Sequence, residues 1–118
     1  AYIHRGKYRF KLRDIEGAIE NYNQAIELDS TESTAYNNRG NAYLELGKWN
    51  KAMADYSQAI ELNKEYAQAY YNRGLLRTDL GKVPGAIEDY QAAAEIFLKK
   101  GEDNDYKDAM ARIKELTP

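Results

Sequence analysis

The sequence repeats itself every 34 residues, and this period constrains the fold more than any other feature of the chain. Three consecutive units, aligned at that spacing without gaps, share nine identical positions. These positions are Ala1/Ala35/Ala69, Tyr2/Tyr36/Tyr70, Arg5/Arg39/Arg73, Gly6/Gly40/Gly74, Leu12/Leu46/Leu80, Ala18/Ala52/Ala86, Tyr22/Tyr56/Tyr90, Ala25/Ala59/Ala93 and Glu27/Glu61/Glu95. A fixed period of this length predicts a repeat architecture, in which one small supersecondary unit is stacked several times.

Each unit contains two runs of apolar residues at helical spacing, with a break between them. Gly47 and Gly81 stand at the break in the second and third units, where a helix end favours a left-handed residue. Arg13 takes this place in the first unit, so we expect its turn to be built differently. The patterns predict helices over residues 2–13, 15–28, 34–46, 49–62, 68–80 and 84–100.

Residues 103–118 depart from the repeat. They carry one apolar stripe from Tyr106 to Leu116, and charged residues occupy the opposite face. A terminal repeat needs a polar outer surface, so this segment is predicted to be a capping helix. We therefore predict an all-α chain of seven helices that forms a single domain, 1–118. Its parts would be the repeats 1–34, 35–68 and 69–102 and the cap helix 103–118.

Composition and charge exclude several classes of function. The net charge is −2, so the overall charge does not favour binding to nucleic acid or an anionic membrane. There is no Cys, which excludes disulfides and thiolate chemistry. Five bases fall in nine residues between Arg5 and Arg13, but alternate residues of a helix point in divergent directions and form no single basic stripe. We expect neither nucleic acid nor membrane as a partner. The chain begins at Ala1 without Met or a visible targeting signal, so we interpret it as an excised domain or processed product and expect a cytoplasmic location.

No constellation of residues indicates catalysis, a metal or another cofactor. His4 is the only histidine, and no phosphate-binding glycine loop or nucleophile motif occurs. The acidic residues Glu102, Asp103, Asp105 and Asp108 lack the spacing and central Gly of a calcium loop. We therefore predict that the protein is not an enzyme.

Two repeated positions have a predicted structural role. Gly6, Gly40 and Gly74 are expected to face Ala18, Ala52 and Ala86 where the two helices of each unit cross, because small residues let backbones approach closely. An arginine precedes each of these glycines, at Arg5, Arg39 and Arg73. A buried charge needs a partner, so each arginine is expected to face a polar residue of the second helix. We predict ion pairs between Arg39 and Asp55 and between Arg73 and Asp89, whereas Arg5 faces Asn21.

The chain resembles the tetratricopeptide repeat (TPR) family, whose units are helix-turn-helix motifs of this length. The residues that match the family signature in order are Tyr36, Gly40, Tyr43, Ala52, Tyr56 and Ala59. The resemblance covers residues 1–102, and its Arg-Gly and Ala-Ile-Glu-Asp-Tyr stretches are similar to bacterial, especially cyanobacterial, repeats. The chain departs from the signature at the Leu before the Gly, which is Arg in every unit, and at the Pro after the second helix, where Ser30 and Lys64 stand.

This resemblance implies an α-solenoid with a right-handed superhelix, in which the first helix of each unit lines a concave groove. It implies a non-catalytic scaffold for protein–protein interaction that binds a peptide or protein segment in that groove. Asn side chains offer a donor and an acceptor together and so match a peptide backbone. The predicted groove residues are His4, Lys7, Lys11, Asn37, Asn38, Asn41, Gln68, Tyr71, Asn72 and Leu75. The alternative is a structural segment of a longer repeat array, or a module that self-associates through its N-terminal helix.

One specialisation of the family can be compared residue by residue. Chaperone-binding TPR domains hold a C-terminal carboxylate with a Lys–Asn pair, an Asn and a Lys–Arg pair on successive first helices. The corresponding residues here are Ile3 and Lys7, Asn38, and Gln68 and Asn72, and only Asn38 matches. We therefore expect no tight binding to the Hsp70 or Hsp90 tail.

Overall fold

The computed structural model describes all residues from 1 to 118, and they form seven α-helices and no strand. The helices are α1 (Tyr2–Lys11), α2 (Ile15–Leu28), α3 (Ser33–Glu45), α4 (Trp49–Leu62), α5 (Ala67–Asp79), α6 (Val83–Lys99) and α7 (Asp103–Leu116). The predicted all-α class is therefore confirmed. The longest helix, α6, has 17 residues, and none of the seven combines the length and apolarity that crossing a bilayer requires.

The chain divides into two compact units, Ala1–Lys64 and Glu65–Pro118, called unit 1 and unit 2 below. In unit 1, α1 packs on α2, α2 on α3 and α3 on α4. A buried cluster forms between α2 and α3, and its members are Ile15, Ala18, Tyr22 and Ala42. In unit 2, α6 packs on both α5 and α7. Its buried cluster consists of Ala67, Ala93, Ala94, Ile96, Phe97 and Ala109.

A tyrosine ring covers the repeated glycine at each crossing of the first and second helix. A Cβ atom on Gly40 would lie 2.8 Å from Cε1 of Tyr56 and 3.3 Å from the carbonyl oxygen of Ala52. Tyr22 stands over Gly6, and Tyr90 over Gly74, in the same way. The predicted facing residue, alanine, therefore contributes backbone at this contact, and the tyrosine ring supplies the closest atoms. Glycine is required because any larger residue would push the ring aside.

The turn after α1 has the same left-handed backbone as the turns that contain glycine. Arg13 has φ 67°, and Gly47 and Gly81 have φ 72° and 76°. The next amide closes the turn in each case: the N–H of Asp14 donates to the carbonyl of Arg9 at 2.9 Å, as Lys48 does to Tyr43. The expectation that the Arg13 turn is built differently is therefore wrong. The first unit keeps the geometry at a steric cost of about 1–2 kcal/mol.

Candidate functional site

A cavity of about 160 Å³ opens in unit 1 where side chains of α1, α2 and α3 meet. It is lined by Lys7, Phe10, Lys11, Tyr22, Asn38 and Asn41. Four of the predicted groove residues thus come together in one place, and they are Lys7, Lys11, Asn38 and Asn41. Tyr22 was not among the predicted groove residues, because its repeated position assigned it to helix packing. One signal could have indicated that Tyr22 lines the cavity. A residue at the crossing of the two helices of a repeat also borders the face of the first helix on which the groove residues were predicted.

The two lysines give this cavity a positive charge that the protein does not neutralise. Lys7 and Lys11 are exposed on α1, and neither forms an ion pair. They stand four residues apart on the helix and therefore lie on the same face. Unpaired ammonium groups beside an apolar wall attract an anionic group.

The polar atoms of the remaining lining residues leave an excess of hydrogen-bond donors. The Tyr56 hydroxyl donates to Asn41 Oδ1 and uses one lone pair of this oxygen, whereas both N–H donors of the Asn41 amide remain for another partner. Asn38 Nδ2 is shielded from solvent and has no hydrogen-bond partner. An amide donor in this state costs about 1–3 kcal/mol, which an acceptor brought into the cavity would recover once the side chain turns toward it.

Tyr22, on α2, is the remaining polar residue of the cavity lining. Burial raises the pKa of its phenol to about 12, so the hydroxyl stays protonated at neutral pH. Unlike the hydroxyls of Tyr56 and Tyr90, which contact Asn41 and Thr78, it forms no hydrogen bond with another residue. The Tyr22 hydroxyl is therefore a further polar group of the cavity that can still form a hydrogen bond.

The other predicted groove residues of the first and second repeats lie outside this cavity. His4 is exposed on α1. Asn37 is only 3% exposed, so its amide lies within the helix packing.

Three of the four groove residues predicted in unit 2 line two further cavities, and α7 contributes to both. Gln68 and Tyr71 border a cavity of about 230 Å³, together with Phe97, Asp105 and Asp108. Leu75 borders a smaller cavity of about 90 Å³, with Thr78, Asp79, Tyr90, Arg112, Glu115 and Leu116. Arg112 Nε donates to the Tyr71 hydroxyl at 3.2 Å. Sequence reasoning treated α7 only as a cap and so missed its residues beside the predicted wall.

Asn72, also predicted as a groove residue, has a different environment. It is 9% exposed, and its Oδ1 accepts from Gln68 Nε2 at 3.1 Å. The fold therefore already uses this amide oxygen, whereas Gln68 itself is exposed.

Two of the three repeated arginines, Arg39 and Arg73, bind carboxylates of the second helices and do not line the cavities. Arg39 Nε and Nη2 donate to the two carboxylate oxygens of Asp55, both at 2.8 Å, and Asp55 is 5% exposed. This hydrogen bonding with Asp55 raises the pKa of Arg39. Nη1 of the same arginine reaches Asn23 Oδ1 at 2.8 Å, so one side chain ties α2, α3 and α4 together.

The corresponding aspartate of unit 2 accepts from two arginines. Arg73 donates to both oxygens of Asp89 at 3.0 and 2.8 Å, and Arg77 Nη1 adds a bond of 2.9 Å. In the first repeat the aspartate is replaced by Asn21, whose Oδ1 is buried without a partner. Arg5 is exposed and lies over the Tyr2 ring at 5.4 Å.

Solved structures with the same architecture include peptide-binding domains. The first TPR of Spaghetti (RPAP3), bound to the HSP90 peptide SRMEEVD, is 29% identical; the match covers 98% of this chain and 86% of that one, with a TM-score of 0.85. The second TPR domain of human RPAP3, in complex with the HSP70 peptide SGPTIEEVD, is 33% identical, with coverages of 96% and 92% and a TM-score of 0.78. The Arabidopsis OM64 TPR domain is 27% identical, with coverages of 98% and 93% and a TM-score of 0.84. Curated protein sequences gave no match.

Family profiles give the same result from sequence. The profile described as TPR repeat matches residues 1–47 and 40–81, and the one described as tetratricopeptide repeat matches residues 67–100. The chain therefore belongs to the tetratricopeptide repeat family.

Proposed function

We propose that this protein is a non-catalytic interaction scaffold whose unit 1 cavity binds an acidic side chain of a peptide or protein segment. The observation that carries the proposal is the excess of donors around the cavity. Lys7 and Lys11 have no carboxylate partner, and Asn38 Nδ2 has no acceptor. A carboxylate satisfies all three groups, and an apolar neighbour of that carboxylate would pack on Phe10.

The acidic group is proposed to be internal to the ligand and not its C-terminus. Some similar domains bind peptides that end in EEVD. In this chain, however, Ile3 and Gln68 stand where the carboxylate-holding members of the family have lysine. Neither side chain carries a charge for a terminal carboxylate, so we propose that this chain does not recognise the Hsp70 or Hsp90 tail through such a clamp.

In unit 2 the proposed ligand contacts have the opposite charge. Gln68 and Tyr71 border a cavity that also contains Asp105 and Asp108, and neither aspartate is ion-paired. A segment bound there would present a basic or neutral side chain. The substitution Asp105→Lys/Asp108→Lys tests this contact separately from unit 1.

Titration followed by NMR of the ¹⁵N-labelled protein tests the main proposal. The probes are SRMEEVD with an amidated C-terminus, the same peptide with a free C-terminus, and an amidated control in which both Glu are Lys. We expect the two acidic peptides to bind within about threefold of each other, to shift resonances of Lys7, Lys11 and Asn38, and to weaken with salt because exposed charges are screened within about 8–10 Å. The Lys control peptide should not shift the resonances of Lys7, Lys11 and Asn38.

The matched variants are Lys7→Glu/Lys11→Glu and, as a control of equal charge, Lys82→Glu/Lys107→Glu. Only the first should weaken binding, by about tenfold or more, because two favourable charge contacts become repulsive. Binding that requires the free C-terminus, or resonance shifts confined to the second helices, would overturn the proposal.

A second candidate function, a segment of a repeat array or a self-associating module, is favoured by the exposed face of α1. Tyr8 is 64% exposed, whereas the residues one and two repeats later, Ala42 and Leu76, are 0% and 1% exposed. Ala42 is covered by α2, so an equivalent helix from a second copy or another repeat would cover Tyr8. Sedimentation equilibrium at several concentrations, with Tyr8→Lys as the control, tests this candidate. A concentration-independent monomer mass would exclude self-association.

A further inference from the structure

A second surface of unit 1 exposes the only tryptophan of the chain. Trp49 begins α4 and is 53% exposed. The residue one repeat earlier, Ile15, is 9% exposed and belongs to the core, and Val83, one repeat later, is half-buried. Packing of the repeat therefore does not need a large aromatic side chain at this position.

The surface around Trp49 is concave. An open depression of about 310 Å³ lies here, and it is lined by residues of the turn and of the start of α4: Gly47, Lys48, Trp49, Asn50 and Lys51. The Nζ atom of Lys51 lies 5.4 Å from the centre of the Tyr43 ring, which places its charge beside a second aromatic. None of these residues lines the cavity between α1, α2 and α3.

The lysines of this surface have no carboxylate partner, because the neighbouring acids are engaged elsewhere. Glu45 pairs with Arg13 at 2.9 Å, and Asp55 pairs with Arg39. Lys48 and Lys51 form no ion pair. A local positive charge therefore surrounds the indole on a chain whose net charge is −2.

We infer that residues 47–51 form a docking site for a short acidic segment of a partner protein that carries one aromatic or aliphatic side chain. The carboxylates of the segment pair with Lys48 and Lys51, and its apolar side chain packs on the Trp49 ring. Tryptophan is among the residues that contribute most to protein interfaces. Charge complementarity selects the acidic segment.

Two other anionic partners fit this surface less well. Single-stranded nucleic acid is bound along a basic groove with several stacking aromatics, and here only one exposed ring and two cations are present. Recognition of anionic lipid uses clusters of about four to eight basic residues. An acidic peptide needs no more than the two lysines and the indole.

Fluorescence tests the inference directly, since all tryptophan emission comes from Trp49. The probe is the N-acetylated, C-amidated pentapeptide Asp-Glu-Phe-Glu-Asp, which itself contains no tryptophan. We expect a saturable shift of the emission to shorter wavelength as the Phe ring covers the indole. The control peptide with Ser in place of Phe should give no shift.

The variant Lys48→Glu/Lys51→Glu should raise the Kd by about tenfold, and Lys48→Ala/Lys51→Ala by less. Lys48 and Lys51 are exposed, as are Lys7 and Lys11 of the control variant, and circular dichroism verifies that each variant stays helical. Lys7→Glu/Lys11→Glu should leave the emission titration unchanged, because those lysines belong to the other cavity. That control separates failure of this inference from failure of the proposed peptide cavity.

Three results would overturn the inference: no emission change, an emission change that survives Lys48→Glu/Lys51→Glu, or one that only Lys7→Glu/Lys11→Glu abolishes. Oligothymidylate and vesicles of phosphatidylcholine with phosphatidylserine complete the design. A larger, saturable response to either of these than to the peptide would also overturn it, in favour of nucleic acid or lipid.

Discussion

At the scale of single residues, Arg13 shows how one repeat keeps a turn without the residue that suits it. Its φ of 67° matches the glycines at the equivalent helix ends. The guanidinium pairs with Glu45 at 2.9 Å, but both side chains are largely exposed, at 65% and 40%. Such pairs contribute about 0–1 kcal/mol, which offsets only part of the backbone cost.

We therefore expect Arg13→Gly to raise the free energy of unfolding by about 0.5–1 kcal/mol, because glycine adopts this conformation without strain. Urea denaturation measures the change. The reverse substitution in the next repeat, Gly47→Arg, serves as the control and should lower stability by about 1 kcal/mol. A loss of stability in Arg13→Gly would mean that the pair with Glu45 outweighs the strain.

The buried aspartates are the second feature that acts at this scale. Asp55→Ala leaves the guanidinium of Arg39 without its carboxylate in a partly buried position, so we expect a loss of about 3–5 kcal/mol. Asp79→Ala removes an exposed carboxylate and should stay within about 0.5 kcal/mol. Thermal melts of the two variants decide the matter, and equally small losses would refute a structural role for Asp55.

Partners in these pairs were accessible to sequence reasoning, since the fixed period places Arg39 and Asp55 on facing helices. The additional hydrogen bonds of Asn23 and Arg77 could not be predicted from the sequence. Asn23 and Arg77 reach the same charges only because of the rotamers they adopt, and no repeat pattern encodes a rotamer. The same holds for Asn38, whose buried Nδ2 is a property of the packed side chains around it.

At the scale of the helices, the contact between glycine and tyrosine sets how closely each pair approaches. Gly40→Ala should destabilise the protein by about 1–3 kcal/mol, although alanine is the better helix former by about 1 kcal/mol. The reason is the added Cβ atom, 2.8 Å from the Tyr56 ring. Asn38→Ala, two residues earlier on the same helix, is the control and should not destabilise the protein, because its buried Nδ2 has no hydrogen bond to lose. Urea melts in which both variants lose equally would show that the helix crossing has room for the methyl group.

The three tyrosines at these crossings differ in their hydroxyl groups. Tyr56→Phe removes the hydrogen bond to Asn41 and should cost about 1 kcal/mol, whereas Tyr22→Phe loses no bond and should be nearly neutral. Chemical denaturation at pH 7 compares the two. The idea fails if Tyr22→Phe proves the more costly substitution.

Helix positions followed closely from the sequence, because the period and the glycine breaks fix them within two residues. The cavities did not follow, since each one depends on side chains of several helices. The contributions of Asp105 and Arg112 were out of reach in particular, because a charged face on a terminal helix predicts solvation and gives no sign of a neighbouring cavity.

At the scale of the whole molecule, the buried phenols make stability depend on alkaline pH. Burial raises the pKa of Tyr22 to about 12 and raises the pKa values of Tyr56 and Tyr90 as well. The unfolded chain loses these protons near pH 10, before the folded protein does. Their stabilising effect is therefore complete below pH 10 and is lost as the pH rises through the folded pKa values, by about 1.4 kcal/mol per pH unit for each tyrosine.

We expect the free energy of unfolding to be flat between pH 8 and about 9.5 with respect to these groups and to fall steeply from pH 10 to 12. Urea melts across this range measure it. Tyr22→Phe should reduce the slope by about one titrating group. An unchanged slope in Tyr22→Phe would assign the alkaline transition to other residues.

The two arginines at Asp89 affect which positions of the chain tolerate substitution. Two arginines, Arg73 and Arg77, hold this carboxylate, so either one can be lost while the other still neutralises it. Asp55 depends on Arg39 alone for its charge. Unit 2 therefore has a second arginine for its buried carboxylate, which unit 1 lacks. Loss of one arginine in unit 2 still leaves Asp89 with a cationic partner. Among diverging sequences we therefore expect position 77 to vary, whereas positions 39 and 55 should change together or not at all.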